Sequence, residues 1–120
     1  SVTLTELVNF QLVSLPHESR TRRTIDGAAS SAGLTLRHVA TVTQFTTMMN
    51  FVRAGVGIAI VPSGAIAGLL GKDLTVLKLI RPRLSRDVGL IWLRERELTP
   101  AARGFAVIFE EMWRDKLIRK

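Results

Sequence analysis

Hydrophobic positions recur at helical spacing over residues 45–52, then run almost unbroken over 58–61, with Gly55 and Gly57 in between. Phe45, Met48, Met49 and Val52 share one face of a helix, which Phe51 widens. Thr43 stands just before that face and is expected as the N-cap, its hydroxyl accepting from first-turn amides. Gly55 falls at the position after the helix where left-handed backbone is wanted. Ile58, Ala59, Ile60 and Val61 are apolar at successive positions, the pattern of a strand buried on both faces of a parallel sheet. Pro62 has no N–H for a ladder and should end that strand. The stretch predicts a helix–turn–strand unit of an α/β domain.

The same logic reads the rest of the chain. Residues 2–8 form a lead-in with a helical turn from Thr5. Residues 10–15 predict a first strand, closed by Pro16. Ser19 caps a helix to about Ala32, with Ile25, Ala28, Ala29 and Ala32 on one face and Gly33 beyond its end. Residues 36–42 predict a second strand. The resulting β-α-β-α-β order implies right-handed crossovers and a mainly parallel sheet flanked by helices. After Pro62 come a short helix over 65–70, a strand over 74–80, a polar connector over 81–86 and a strand over 88–93 carrying Trp92. Thr99 and Pro100 open a last helix to about Ile118. Its apolar face holds Ala102, Phe105, Phe109, Met112 and Trp113, and Arg114, Lys116, Arg119 and Lys120 complement the dipole at its end. Phe45, Met49, Val52, Ile58, Ile60, Leu90, Phe105 and Phe109 are the expected core.

Composition narrows the class. A chain of 120 residues, 47% hydrophobic and 22% charged, can bury one domain's core and is too apolar for disorder. It contains no cysteine, which removes disulfides and thiolate metal sites and fits a reducing, cytoplasmic setting. No apolar run approaches the roughly 20 residues of a membrane span, and the first residues lack a signal-peptide layout. The net charge of +7 comes from scattered arginines and lysines with acids between them. A DNA-reading surface would gather them on one helix or groove, so a solvated basic surface is the simpler account. The chain does not begin with Met and is expected to be a piece of something longer.

Catalytic and metal patterns fall short. His17 and His38 have neither cysteine partners nor metal-ligand spacing, no nucleophile elbow is present, and Gly55-Val56-Gly57 leads into a strand rather than a helix. No enzyme, cofactor or metal site is expected. The ends of the predicted strands offer more: Ser14-Leu15-Pro16-His17, Thr41-Val42-Thr43-Gln44 and Val61-Pro62-Ser63 share one rim of a parallel sheet. Two of these ends open onto helix N-termini, at Ser19 and Thr43. Each hydroxyl taken singly is explained as a helix cap. Together on one rim, with the positive ends of two helix dipoles, they suit a carboxylate or another small anion.

Residues 51–62, FVRAGVGIAIVP, resemble a segment of the LysR-type transcriptional regulators. Arg20-Thr21-Arg22-Arg23 through Gly33-Leu34, Arg86 through Trp92, and Leu98-Thr99-Pro100-Ala101-Ala102 through Phe105 are similar to other segments of that family in the same order. The resemblance implies a periplasmic-binding-protein-like subdomain spanning residues 1–120. It makes 87–120 the return strand and helix of the neighbouring subdomain, with the DNA-binding winged helix-turn-helix outside this stretch. It further implies a small-molecule effector, expected to be a carboxylate, held by Ser14, Pro16, His17, Thr43, Gln44, Phe45, Thr46, Val61 and Pro62. Thr43, Gln44 and Thr46 would orient it, with Phe45 and Pro62 as apolar walls. Homo-oligomerisation is expected as well, through the uncovered apolar face of the terminal helix or through the helix at Arg20–Ala32. The resemblance implies DNA contacted only through the missing N-terminal domain and no membrane partner. The alternative is one lobe of a periplasmic-type solute-binding protein, against which the absent signal peptide and the terminal segment speak.

Overall fold

A computed structural model describes residues 1–118; Arg119 and Lys120, expected to complement the last helix dipole, lie outside the described residues. The chain divides into two units, Ser1–Arg86 and a second beginning at Asp87.

The first unit opens with β1 (Val2–Thr3) and a one-turn helix α1 (Leu4–Leu7). Thr3 and Glu6 form a capping box, the Glu6 carboxylate accepting from the Thr3 backbone N–H at 2.7 Å. The turn therefore starts at Leu4, one residue before the expected Thr5, and buries Leu4 and Leu7. Next come β2 (Gln11–Ser14), α2 (Arg20–Ser31), β3 (Arg37–Thr41) and α3 (Phe45–Arg53). β2 and β3 are parallel, with Gln11 opposite Arg37 and Ser14 opposite Thr41. On the other side of β2, Ile58 bridges Leu12 in parallel, its N–H donating to the Gln11 carbonyl and its carbonyl accepting from Val13 N–H, each at 2.9 Å.

β2 is thus the middle member of three parallel segments, which is why Leu12, Val13 and Ser14 are all buried. Alternation along it separates two apolar clusters. Leu12 joins Leu4, Leu7, Ile25, Ala29 and Leu36 on one face, with Ile58 and Ile60 against them. Val13 joins Met48, Met49 and Ile66 on the other, with Phe45, Ala59 and Val61 against them. α2 therefore covers one face and α3 the opposite one, the doubly wound arrangement.

Both long helices of this unit end as expected. Gly55 has φ +75°, with Gly55 N–H bonded to the Val52 carbonyl and Val56 N–H to the Phe51 carbonyl. Gly33 has φ +67° and repeats the pattern with Ser30 and Ala29. These are Schellman closures, satisfying carbonyls the helix leaves free.

Several expectations are corrected. The N-cap of α3 is Gln44, not Thr43, and its side chain makes no capping bond. Phe51 turns to solvent because the buried stripe is narrow and centres on Met48 and Met49. The run 58–61 makes one bridge, Ile58 to Leu12, rather than a full strand. Of the strand over 74–80, only β4 (Leu79–Ile80) pairs, in parallel with β1. Val76 and Leu77 before it are exposed, so most of that run has no layer to pack on. The short helix over 65–70 is a single 3-10 turn, Ser63–Ala65.

The second unit contains α4 (Pro100–Ile118). Thr99 caps it as expected, its Oγ1 accepting from Ala102 N–H at 3.2 Å and its carbonyl from Arg103 N–H. Residues 88–93 form no strand, and Ile91 is 96% exposed. Phe105, expected in the core, is 61% exposed, whereas Leu90 and Phe109 are half-buried. An apolar helix face needs a second layer to cover it, and one helix with an unpaired extended segment supplies none. Among the described residues, no helix is long and apolar enough to cross a membrane.

Candidate functional site

Strand order in the first unit runs β3, β2, then the segment at Ile58. The chain moves from β2 to one side, then returns past β2 to the other. Such a reversal opens a crevice outside the carboxyl ends of the strands, where open α/β sheets take their ligands. The residues at this switch point are Ser14 through His17 after β2, and Val61 with Pro62 after the bridged segment.

The candidate residues sit as follows. Ser14 is buried at 8% exposure, and its carbonyl accepts from Val42 N–H at 2.9 Å, which ties the ends of β2 and β3 together. Pro16 is half-buried and His17 exposed in the turn before α2. Thr43, Gln44 and Thr46 are exposed at the start of α3, while Phe45 is half-buried against the Met48–Met49 cluster. Val61 packs on the same cluster, and Pro62 accepts from Ala65 N–H at 3.0 Å. Strand pairing joins the Ser14 and Thr41–Val42 ends, and the Ile58 bridge aligns 58–62 beside them.

Neither helix N-terminus at the rim is closed by its own cap. Ser19 and Gln44 have extended backbone but make no side-chain bond to the first-turn amides. Those N–H groups remain available to an acceptor.

A polar network that sequence patterns did not reveal lies beneath the end of β2. Arg22 on α2 is only 5% exposed. Its Nε donates to Asp26 Oδ2 at 2.7 Å and its Nη1 to the Leu15 carbonyl at 3.0 Å. Asp26 Oδ1 lies 3.2 Å from His38 Nε2, and His38 Nδ1 lies 2.6 Å from Ser14 Oγ. The His17 ring nitrogen Nδ1 is 3.7 Å from Asp26 Oδ2. The i,i+4 spacing of Arg22 and Asp26 was the one signal available; the β3 partner His38 required the parallel register.

Burial lowers the pKa of His38, Arg22 and His17 add to that, and Asp26 opposes it. Hydroxyl, imidazole and carboxylate follow one another here in the order of a nucleophilic triad. However, the imidazole turns Nδ1 rather than Nε2 to the hydroxyl. Arg22 holds Asp26 Oδ2, the oxygen nearer His17, while His38 faces Oδ1. Among the described residues, no cluster of three metal-ligating side chains occurs.

Two shallow depressions lie elsewhere, on the second unit. One of about 230 Å³ is lined by Phe109, Glu110, Trp113 and Arg114. The other, about 270 Å³, includes Trp92, Arg96, Leu98 and Thr99. Neither contains a rim residue.

Comparison with known proteins matches residues 1–114 to the LysR substrate binding domain family. The chain is 30% identical over 105 residues to the uncharacterized HTH-type transcriptional regulator YybE of Bacillus subtilis (strain 168), covering 88% of this chain and 35% of that protein. It is 26% identical over 110 residues to the uncharacterized HTH-type transcriptional regulator YbhD of Escherichia coli (strain K12), covering 92% of this chain and 35% of that protein. The chain therefore spans about a third of the length of these relatives.

Proposed function

Because this chain belongs to the LysR substrate-binding domain family, whose fold is periplasmic-binding-protein-like, we propose that it is the ligand-sensing part of a transcription regulator. It binds a small effector and does not transform it. The family match over residues 1–114 carries this reading, and the naming of both relatives as HTH-type transcriptional regulators favours a regulator over a transport protein. The effector is a carboxylate. Two helix N-termini with uncapped amides, at Ser19 and Gln44, support that choice of ligand.

Thr43, Gln44 and Thr46 orient the carboxylate, Phe45, Val61 and Pro62 wall its apolar part, and Ser14, Pro16 and His17 close the side nearest β2. Residues 1–120 are the second subdomain of the effector-binding domain, with 87–120 the return strand and helix of the first. The division of the chain at Arg86 and Asp87 supports that assignment. One rim cannot enclose a ligand, so binding by this stretch alone is weak. DNA is reached only through a winged helix-turn-helix outside it, and the regulator works in the cytoplasm. The exposed apolar face of α4 favours homo-oligomerisation.

Amide chemical shifts recorded during titration with aromatic and aliphatic carboxylates test the site. Shifts centred on residues 14–17, 43–46 and 61–62 are expected, and shifts confined to the second unit would overturn the assignment.

A further inference from the structure

The buried network at the end of β2 gives the effector rim a property beyond simple binding. An ionised carboxylate only accepts, and Asp26 Oδ1 lies 3.2 Å from His38 Nε2, so it favours the tautomer that carries its hydrogen on that nitrogen. Neutral His38 then presents a lone pair at Nδ1, and the Ser14 hydroxyl 2.6 Å away must donate to it. In that state Ser14 has only lone pairs left for a neighbour. A proton taken from solvent onto Nδ1 reverses the bond. The imidazolium donates, Ser14 Oγ accepts, and the hydroxyl hydrogen is free for a new acceptor.

Resting on the effector-site reading above, we propose that His38 is a proton switch that turns Ser14 from acceptor to donor toward the rim, so that carboxylate capture is proton-linked.

The neighbouring charges pull on His38 in both directions. From α2, Asp26 favours the imidazolium and Arg22 opposes it; from the loop after β2, His17 opposes it when charged; from β2, the partner is the neutral Ser14. With burial also opposing the charge, His38 is neutral near neutral pH in the free protein. A carboxylate arriving beside Ser14 brings the negative charge that favours the imidazolium. Linkage then requires that binding take up a proton and that affinity rise as pH falls, by at most about tenfold per pH unit. Arg22 extends the effect along the chain, because the guanidinium that pairs with Asp26 also holds the Leu15 carbonyl.

Nuclear magnetic resonance of the whole chain with nitrogen-labelled histidine decides this in two arms. Without ligand, His38 should be the Nε2–H tautomer at about pH 8, and the amides of Leu15, His17 and Glu18 should shift with the His38 midpoint. An Nδ1–H tautomer, or amides indifferent to His38, would overturn the switch. In the second arm, benzoate and succinate are titrated at about pH 6 and pH 8 into the wild-type chain and His38→Gln. Tighter binding at the lower pH, lost in His38→Gln, supports the coupling. Equal affinity at both values overturns the coupling and leaves the effector site standing. No carboxylate-induced shift at the rim would overturn the effector-site reading, and the coupling with it.

Discussion

Gly57 lies so close to Gln11 that a Cβ on the glycine would overlap the Gln11 carbonyl. That same carbonyl accepts from Ile58 N–H at 2.9 Å, the bond that brings the chain back alongside β2. The approach has no room for a side chain, because the overlapping atoms are backbone on the central strand. Gly57→Ala should therefore cost about 2 kcal/mol or more, through a shift of 57–61 away from β2. Urea denaturation measures it, and an unchanged midpoint would mean that the segment re-seats freely.

Gly55, two residues earlier, is constrained differently. Nothing lies within 4 Å of a Cβ placed there, but its φ is +75°. The limit is backbone conformation, not space. Gly55→Val should cost more than about 1 kcal/mol, from the penalty on a β-branched residue in left-handed backbone. Gly55→Asn should cost less, since asparagine tolerates that region. Equal costs for the two variants in chemical denaturation would show that the Schellman closure is not what matters.

The two glycines show what could be read in advance. A glycine after an amphipathic helix announces its own geometry, so Gly55 and Gly33 were legible from local pattern. The requirement at Gly57 comes from a strand more than forty residues earlier, and no local pattern records it. The same division holds at the rim. Strand ends and helix starts are local, and their order along the chain implied a shared edge. The Ser14–His38–Asp26–Arg22 network depends on the β2–β3 register and on which face α2 covers, which the periodicity of either element leaves open. Residues 88–93 and Phe105 went the other way. Their apolar pattern implies surfaces that need a covering layer, but pattern does not say whether that layer lies within the same stretch of chain.

The His38 environment makes a prediction for stability as well as for binding. Its folded pKa is lowered from the ordinary 6.5, chiefly by burial and next by Arg22. The unfolded chain therefore binds the proton more readily than the folded one. The sign follows: stability is at its full value above pH 6.5 and falls as pH descends from there through the lowered folded value. Urea midpoints measured between about pH 5 and pH 8 should decline over that window in the wild-type chain. His38→Gln, which cannot take up the proton, should remove that part of the slope. A slope unchanged in His38→Gln would assign it to other groups.

Assembly is the last consequence. Phe105–Phe109 and Phe109–Trp113 stack along one side of α4, with ring centroids 6.3 Å and 6.1 Å apart. Phe105, Ile108 and Met112 are each more than half exposed, so this side is wet in the isolated chain. Covering each such side chain is worth about 1.5–3 kcal/mol, enough for a few of them to offset much of the entropy lost on association. A second copy presenting the same face is the simplest cover, because a two-fold interface is self-complementary. Light scattering should show a mass that rises toward the dimer with concentration, and Trp113 fluorescence should shift to the blue in step. Phe105→Ser combined with Met112→Ser should return the chain to monomer at the same concentration and leave a urea midpoint that no longer rises with concentration, since neither side chain is buried in the single chain. A wild-type chain that stays monomeric over that range would show that the α4 face is not self-associating.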